Sequence, residues 1–239
     1  MKTDAILITG VAKRVGLHLA QTFLERGHPV IGTYRSEHST LASLAEAGAE
    51  LYHCDFYDET SINRLLTEIS NNHPSLRAII HNASDWIPES AMTSAKETMN
   101  RMMQVHVTAP YLLNLSLAPL LEACTGTHAD IIHVGDYVST RGSTKHIAYA
   151  ASKAAQDNLT LSFSARLAPK VKVNSVAPAL VMFNDGDDDA YKLKARNKSL
   201  MCREAGLEEF QRTIDYLLDS VYVTGRTLHL DGGRHLKVA

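Results

Sequence analysis

The sequence predicts an α/β protein built on a parallel, doubly wound sheet with helices on both faces. Three observations carry this. Short β-branched runs alternate about six times with longer amphipathic stretches, the pattern of successive β-α units. The composition is 45% apolar and 21% charged, which suits a chain that buries a core and excludes a disordered one. No repeat, low-complexity segment or linker divides the 239 residues, so 1–239 is expected to be one domain.

Ala5–Thr9 (AILIT) reads as the first buried strand. Arg14–Arg26 then places Val15, Leu19 and Phe23 on one helical face, joined by Ala20 and Leu24. Pro29–Tyr34 is the second strand. Thr40–Ala47 is a short helix that Gly48 ends. Glu50–His53 is the third strand, and Asp58–Asn71 a helix whose Ile62, Leu65, Leu66 and Ile69 share a face. Arg77–His81 is the fourth strand. Ala95–Ala123 is a long helical region that Pro110 and Pro119 should interrupt. Asp130–Val134, Ile147–Ala168 and Val171–Val176 are strand, long helix and strand. Pro178–Ala190 is the least regular stretch and reads as a mobile loop. Glu208–Leu218 is helical, and Thr227–Leu230 is a short last strand.

Several function classes are disfavoured. With 24 Lys+Arg against 26 Asp+Glu, nothing suggests a nucleic-acid binder. Cys54, Cys124 and Cys202 are far apart, so neither a disulfide framework nor a thiolate zinc site is expected, and a reducing, cytoplasmic setting fits. No run reaches the length of a membrane span, and the apolar N-terminal run reads as a strand rather than a signal peptide. The acidic run Asp185–Asp189 resembles a calcium loop only partly, because Ala190 and Arg196 stand where that loop needs Gly and Glu. It reads as a solvated acidic loop. His128 and His133 would point to opposite faces, so no metal site is expected.

Ligands of such sheets sit beyond the carboxyl ends of the strands. After the first strand comes Thr9-Gly10-Val11-Ala12-Lys13-Arg14-Val15-Gly16, a glycine turn entering a helix. Its N–H groups and positive helix end suit a pyrophosphate. The plain alternative is an ordinary βα turn. An NAD-binding fold places a carboxylate at the end of strand two, but here Arg35 and Ser36 stand there. Arginine can take a 2′-phosphate in a bidentate manner, which points to NADPH. Tyr149 and Lys153 lie four apart on one helix face, where the ammonium would lower the phenol pKa and make Tyr149 a proton donor. Asp136, thirteen residues earlier, would face the same crevice. It reads either as an acid and hydrogen-bond acceptor or as a turn aspartate.

Thr9-Gly10 with Gly16, Asn82-Ala83 after strand four, Tyr149 with Lys153, Asn174 and Pro178 after strand six, and Asp231-Gly232-Gly233 together resemble the short-chain dehydrogenase/reductase family. The resemblance implies a Rossmann-like sheet of about seven strands and a nicotinamide cofactor. Two departures narrow it. Arg14 stands at the middle glycine of the family turn, and Asp136 stands at the usual catalytic serine. These features resemble the pteridine reductases of the family. The stretches HNASDW, DYVSTRGSTKHIAYAASKAA, VKVNSVAPAL and LDGGRH resemble the bacterial dihydromonapterin reductases, which also reduce dihydrofolate.

The resemblance implies NADPH-dependent reduction of a 7,8-dihydropterin, with hydride to C6 and a proton to N5. Asp136, Tyr149 and Lys153 would be catalytic. Gly10, Lys13, Arg14, Val15 and Gly16 would hold NADPH at its phosphates, with Arg35 and Ser36 at the 2′-phosphate and Asp55 at the adenine. Asn82, Ala83, Ser84 and Pro178 would complete the cofactor site, and Lys153 would bind the nicotinamide ribose. Trp86 would stack on the pterin face opposite the nicotinamide, with Arg14 and Ser84 nearby. His106 stands where the family often has a water-holding asparagine. It reads either as a relay imidazole or as a buried, hydrogen-bonded histidine. A homotetramer is implied. The rival readings are a carbonyl reductase of the 3-oxoacyl type and a regulator that senses NADPH without turnover.

Overall fold

The computed structural model describes residues 4–90 and 94–237. Seven strands form one parallel sheet: β1 (Ala5–Thr9), β2 (Val30–Tyr34), β3 (Glu50–His53), β4 (Leu76–His81), β5 (Ala129–Val134), β6 (Val171–Pro178) and β7 (Thr227–Leu230). Their spatial order is β3-β2-β1-β4-β5-β6-β7. The chain winds outward from β1 in one direction, then returns and winds outward from β4 in the other. The crevice between β1 and β4 is therefore the topological switch point, where such sheets bind ligands.

The strands read as unbroken apolar runs because both faces are covered. Ile6 and Ile8 point one way, against Leu19 and Phe23 of α1 (Arg14–Glu25) and Phe210 and Ile214 of α8 (Leu207–Asp219). Leu7, Ile79 and Ile131 point the other way. They meet Leu65 of α3 (Glu59–Asn72), Leu113 and Leu117 of α5 (Ala109–Glu122), and Phe163 of α6 (Ile147–Leu167). Each fully buried aliphatic side chain stabilises the fold by about 1.5–3 kcal/mol. Asp58 caps α3 by accepting from the N–H groups of Thr60 and Ser61. A further short helix, α2 (Thr40–Glu46), follows β2.

Three expectations are corrected. Neither proline interrupts the helical region after β4. Helix α4 (Ala95–Met103) runs through a π turn, Gln104–Thr108, directly into α5. Pro110 sits in the first turn of α5, directly after the π turn, and Pro119 lies within α5. The stretch read as loop, Pro178–Ala190, runs at its end into a helix, α7 (Asp189–Arg196), capped by Asp188. Finally, β6 continues to Pro178. No helix among the described residues is long and apolar enough to cross a membrane.

Candidate active site

The turn after β1 is held by side chains from β1 and the end of β4. The Thr9 hydroxyl accepts from the N–H groups of Asn82 (3.0 Å) and Ala83 (2.9 Å). The Asn82 amide donates to the carbonyls of Thr9 and Gly10, both at 3.0 Å. Glycine is required at both ends of the turn. A Cβ on Gly16 would lie 2.1 Å from the Gly10 carbonyl oxygen, and Gly10 itself has φ +75°. Arg14 also takes a left-handed conformation, φ +56°, a backbone region that ordinarily favours glycine. Its guanidinium donates to the Asn184 side chain and the Met182 carbonyl, tying the turn to the segment after β6.

This turn forms one wall of a cleft of about 470 Å³ across the switch point. Gly10, Lys13, Arg14, Val15 and Gly16 line it, as do Arg35, Ser36 and Asp55 from the ends of β2 and β3. Asn82, Ala83 and Ser84 follow β4, Asp136 follows β5, Tyr149 and Lys153 come from α6, and Pro178 ends β6. Two candidates lie outside this lining. His106 is fully buried behind it. Trp86 is 63% exposed on the rim, with its ring stacked on His146 at 4.0 Å and 16°. Trp86 therefore stands beside the cleft, outside its lining. The flat imidazole beside it covers one face of the indole and leaves the other open.

At the floor, the Tyr149 hydroxyl donates to Asp136 Oδ2 at 2.8 Å. Asp136 Oδ1 accepts from Val138 N–H at 2.9 Å and so starts the short 3-10 turn Tyr137–Ser139. Asp136 thus holds the turn through one oxygen and accepts from Tyr149 through the other. Burial raises the Asp136 pKa, against the opposing effects of Val138, Tyr149 and Lys153. Tyr149 differs from expectation. Burial and the Asp136 charge push its phenol well above the ordinary value. Lys153 does not reverse this, because its ammonium is directed elsewhere. It donates to the Val134 carbonyl (2.7 Å) and the Gln156 side chain (3.4 Å). Burial draws Lys153 itself down to about 8. The pair therefore rests as a neutral phenol donating to a carboxylate, and the carboxyl is the group shifted toward neutral pH.

His106 sits in the π turn and links Ser84 to Ser152. Its Nε2 lies 2.8 Å from Ser84 Oγ and its Nδ1 2.8 Å from Ser152 Oγ. Ser152 already donates its proton to the Tyr149 carbonyl, so Nδ1 must carry the ring proton and Nε2 must accept from Ser84. Burial, followed by the Lys153 charge, holds the imidazole neutral. Ser84 also reaches the Tyr149 hydroxyl. The result is a chain Ser84–His106–Ser152 beside the Asp136–Tyr149 pair, in which both ring nitrogens of His106 are engaged by protein groups.

Sequence reasoning missed Ser152 and His146, although both lie within three residues of Tyr149 along α6 or at its start. It also missed Tyr57 and Asp85, which meet across 28 residues of chain. Asn174 and Asp231 turn out to hold backbone. Asn174 clamps Val223 and Arg226, and Asp231 accepts from the N–H groups of Gly233 and His235.

The family described as Enoyl-(Acyl carrier protein) reductase matches residues 10–235. A "Dihydromonapterin reductase" of Klebsiella pneumoniae is 51% identical over 232 residues, 97% of each chain. One from an Enterobacter species is 52% identical over 231 residues, 97% of this chain and 96% of that one. Among solved structures, FolM alternative dihydrofolate reductase 1 of Brucella suis, in complex with NADP, aligns with a TM-score of 0.85. It is 23% identical, with 99% of this chain and 96% of that one covered, and shows the shared fold. Half-identity along almost the whole length, together with the Tyr149–Lys153 pair and the aspartate beside it, places this chain in the short-chain dehydrogenase/reductase family, among the dihydromonapterin reductases.

Proposed function

We propose that the protein reduces 7,8-dihydropterins with NADPH, taking 7,8-dihydromonapterin and also 7,8-dihydrofolate to their tetrahydro forms. The observation that carries this is the Asp136–Tyr149 hydrogen bond on the cleft floor. A carbonyl substrate asks only for a neutral donor, which a serine supplies. A dihydropterin presents a C6=N5 imine, ring N–H groups and an exocyclic amine. A carboxylate can accept from those donors, and one with a raised pKa can also hold the proton that N5 needs. The dihydromonapterin reductases, about half identical to this chain, support the same reading.

The cleft's residues fit NADPH. A glycine turn without Cβ atoms at Gly10 and Gly16, bordered by Lys13 and Arg14, suits a pyrophosphate. Arg35 and Ser36 suit a 2′-phosphate, Asp55 an adenine, and Asn82, Ala83, Ser84 and Pro178 the remaining contacts. When bound, NADPH supplies a hydride. The protein's part is to orient and protonate. Asp136 and Tyr149 direct a proton toward pterin N5, and Lys153 keeps a positive charge beneath them and binds the nicotinamide ribose. Ser84 and His106 lie beside that pair and lead to Ser152. With His106 Nε2 unprotonated, Ser84 donates to the ring, while the single Tyr149 proton is directed at Asp136. Arg14 and Ser84 border the pterin, and Trp86 meets it through its open face.

We read the protein as a cytoplasmic homotetramer. The exposed apolar side chains of Tyr111 on α5 and Ile147 and Leu161 on α6 support association through the long helices.

Steady oxidation of NADPH tests the function directly. It should proceed on addition of 7,8-dihydromonapterin and not with a 3-oxoacyl thioester. Turnover of the thioester alone would assign the carbonyl chemistry instead, and turnover of neither would make the protein a cofactor sensor.

A further inference from the structure

The loop after β4 carries a carboxylate, Asp85, that none of these roles uses. It is half-buried and its two oxygens have separate partners. Oδ1 accepts from Trp86 N–H at 2.9 Å. Oδ2 accepts from the Tyr57 hydroxyl at 2.9 Å and faces two guanidinium groups, Arg35 at 3.4 Å and Arg101 at 3.9 Å. Both arginines lie over the Tyr57 ring, at 5.6 and 4.3 Å from its centroid. The cluster holds two positive charges against one negative charge. Arg101 is underused: its pair with Asp85 is long, and its buried Nε has no partner.

Arg35 is also the cation assigned above to the cofactor 2′-phosphate. One guanidinium cannot direct the same N–H groups to Asp85 and to a phosphate. A phosphate dianion beside an unmoved Asp85 would place three negative charges against two positive ones. We propose that Asp85 is a stand-in for the 2′-phosphate: it holds Arg35 before NADPH binds, and the arriving phosphate takes Arg35 from it while Arg101 and Tyr57 keep the carboxylate. Because Oδ1 holds Trp86 independently of Oδ2, Arg35 can leave without loosening the segment that carries the indole. Asp85 therefore taxes the binding of the phosphorylated cofactor, and the tax is absent for NADH.

This inference rests on the NADPH reading. Its test is the pair of dissociation constants for NADPH and NADH, measured by calorimetry on the full chain. Asp85→Asn keeps an acceptor for Trp86 and removes the charge. It should tighten NADPH about fivefold, the scale of a partly screened ion pair, and leave NADH within about twofold on that same scale. Asp85→Ala should move the ratio in the same direction. In an Arg35→Ala background, Asp85→Asn should favour NADPH clearly less than in wild type, since the contested partner is gone and only the repulsion between Asp85 and the phosphate is relieved. An unchanged or weakened NADPH affinity in Asp85→Asn, an equal change for NADH, or an undiminished effect without Arg35 overturns the proposal. Wild type preferring NADH overturns the cofactor reading itself, and that outcome is visible before any variant is made.

Discussion

Asp136 divides its two oxygens between the turn it starts, through Val138, and the cleft floor, through Tyr149. Its spacing of thirteen from Tyr149 was legible in the sequence, as was the four-residue step to Lys153. The phenol's raised pKa was not, because it depends on where the Lys153 ammonium points and how deeply the pair is buried. That burial has a cost. Since the folded-state pKa of Asp136 lies above its unfolded value, its stabilising contribution is complete below the unfolded pKa and is lost as pH rises through the folded one. At neutral pH the ionised form is the unfavourable one. Asp136→Asn should therefore melt higher than wild type at pH 7, by about 2–4 °C for each kcal/mol relieved, and the gap should close in acid. Thermal melts at pH 7 and at about pH 3, below the ordinary carboxylate range, check this. At the other end of the cleft, Arg35→Ala should reduce the preference for NADPH over NADH by about 1–2 kcal/mol. That is the low part of the charge-assisted range, because half of the side chain is exposed. The ratio of kcat/KM for the two cofactors measures it.

Helices with a buried stripe were readable as such. Leu19 and Phe23 mark α1, and Ile62, Leu65 and Ile69 mark α3. Helix α7 buries none of its residues, so it leaves no apolar period to find, and its acidic start is a cap rather than a cation loop. The π turn was likewise silent. It adds one residue to the turn where His106 must face both Ser84 and Ser152, contacts that span 22 and 46 residues of chain. Helix α8 is docked by charge at its C-terminal end. Arg77 donates to the Leu218 carbonyl and Lys172 to that of Leu217, each at 2.7 Å, as suits the negative end of a helix. Fully buried Asp130 pairs with both cations, one oxygen to each. Asp130→Ala would leave them without an anion. It should cost about 3–5 kcal/mol in urea unfolding while leaving NADPH affinity unchanged in the folded protein. A loss below about 1 kcal/mol would mean that the cations find water instead.

Across the molecule, the alternation of strand and helix made the parallel sheet legible, and the order of the motifs made the switch point legible. Apart from Trp86, the candidates on turns after β1 to β6 line the cleft, because parallel strands all deliver their carboxyl ends to the same edge. Contacts between loops, such as Trp86 with His146 and Arg35 with Asp85, escaped the sequence because strand order does not fix them. The central claim is that a carboxylate in the serine position fits this fold to a pterin. Its most direct test is kcat for NADPH-dependent reduction of 7,8-dihydromonapterin by wild type and Asp136→Ser from pH 5 to pH 9. The account predicts that wild-type turnover falls as pH rises through the raised Asp136 pKa. It also predicts that Asp136→Ser is slower by about 10²–10⁴-fold and lacks that limb, with NADPH still bound. Equal rates for the two proteins at every pH would contradict it.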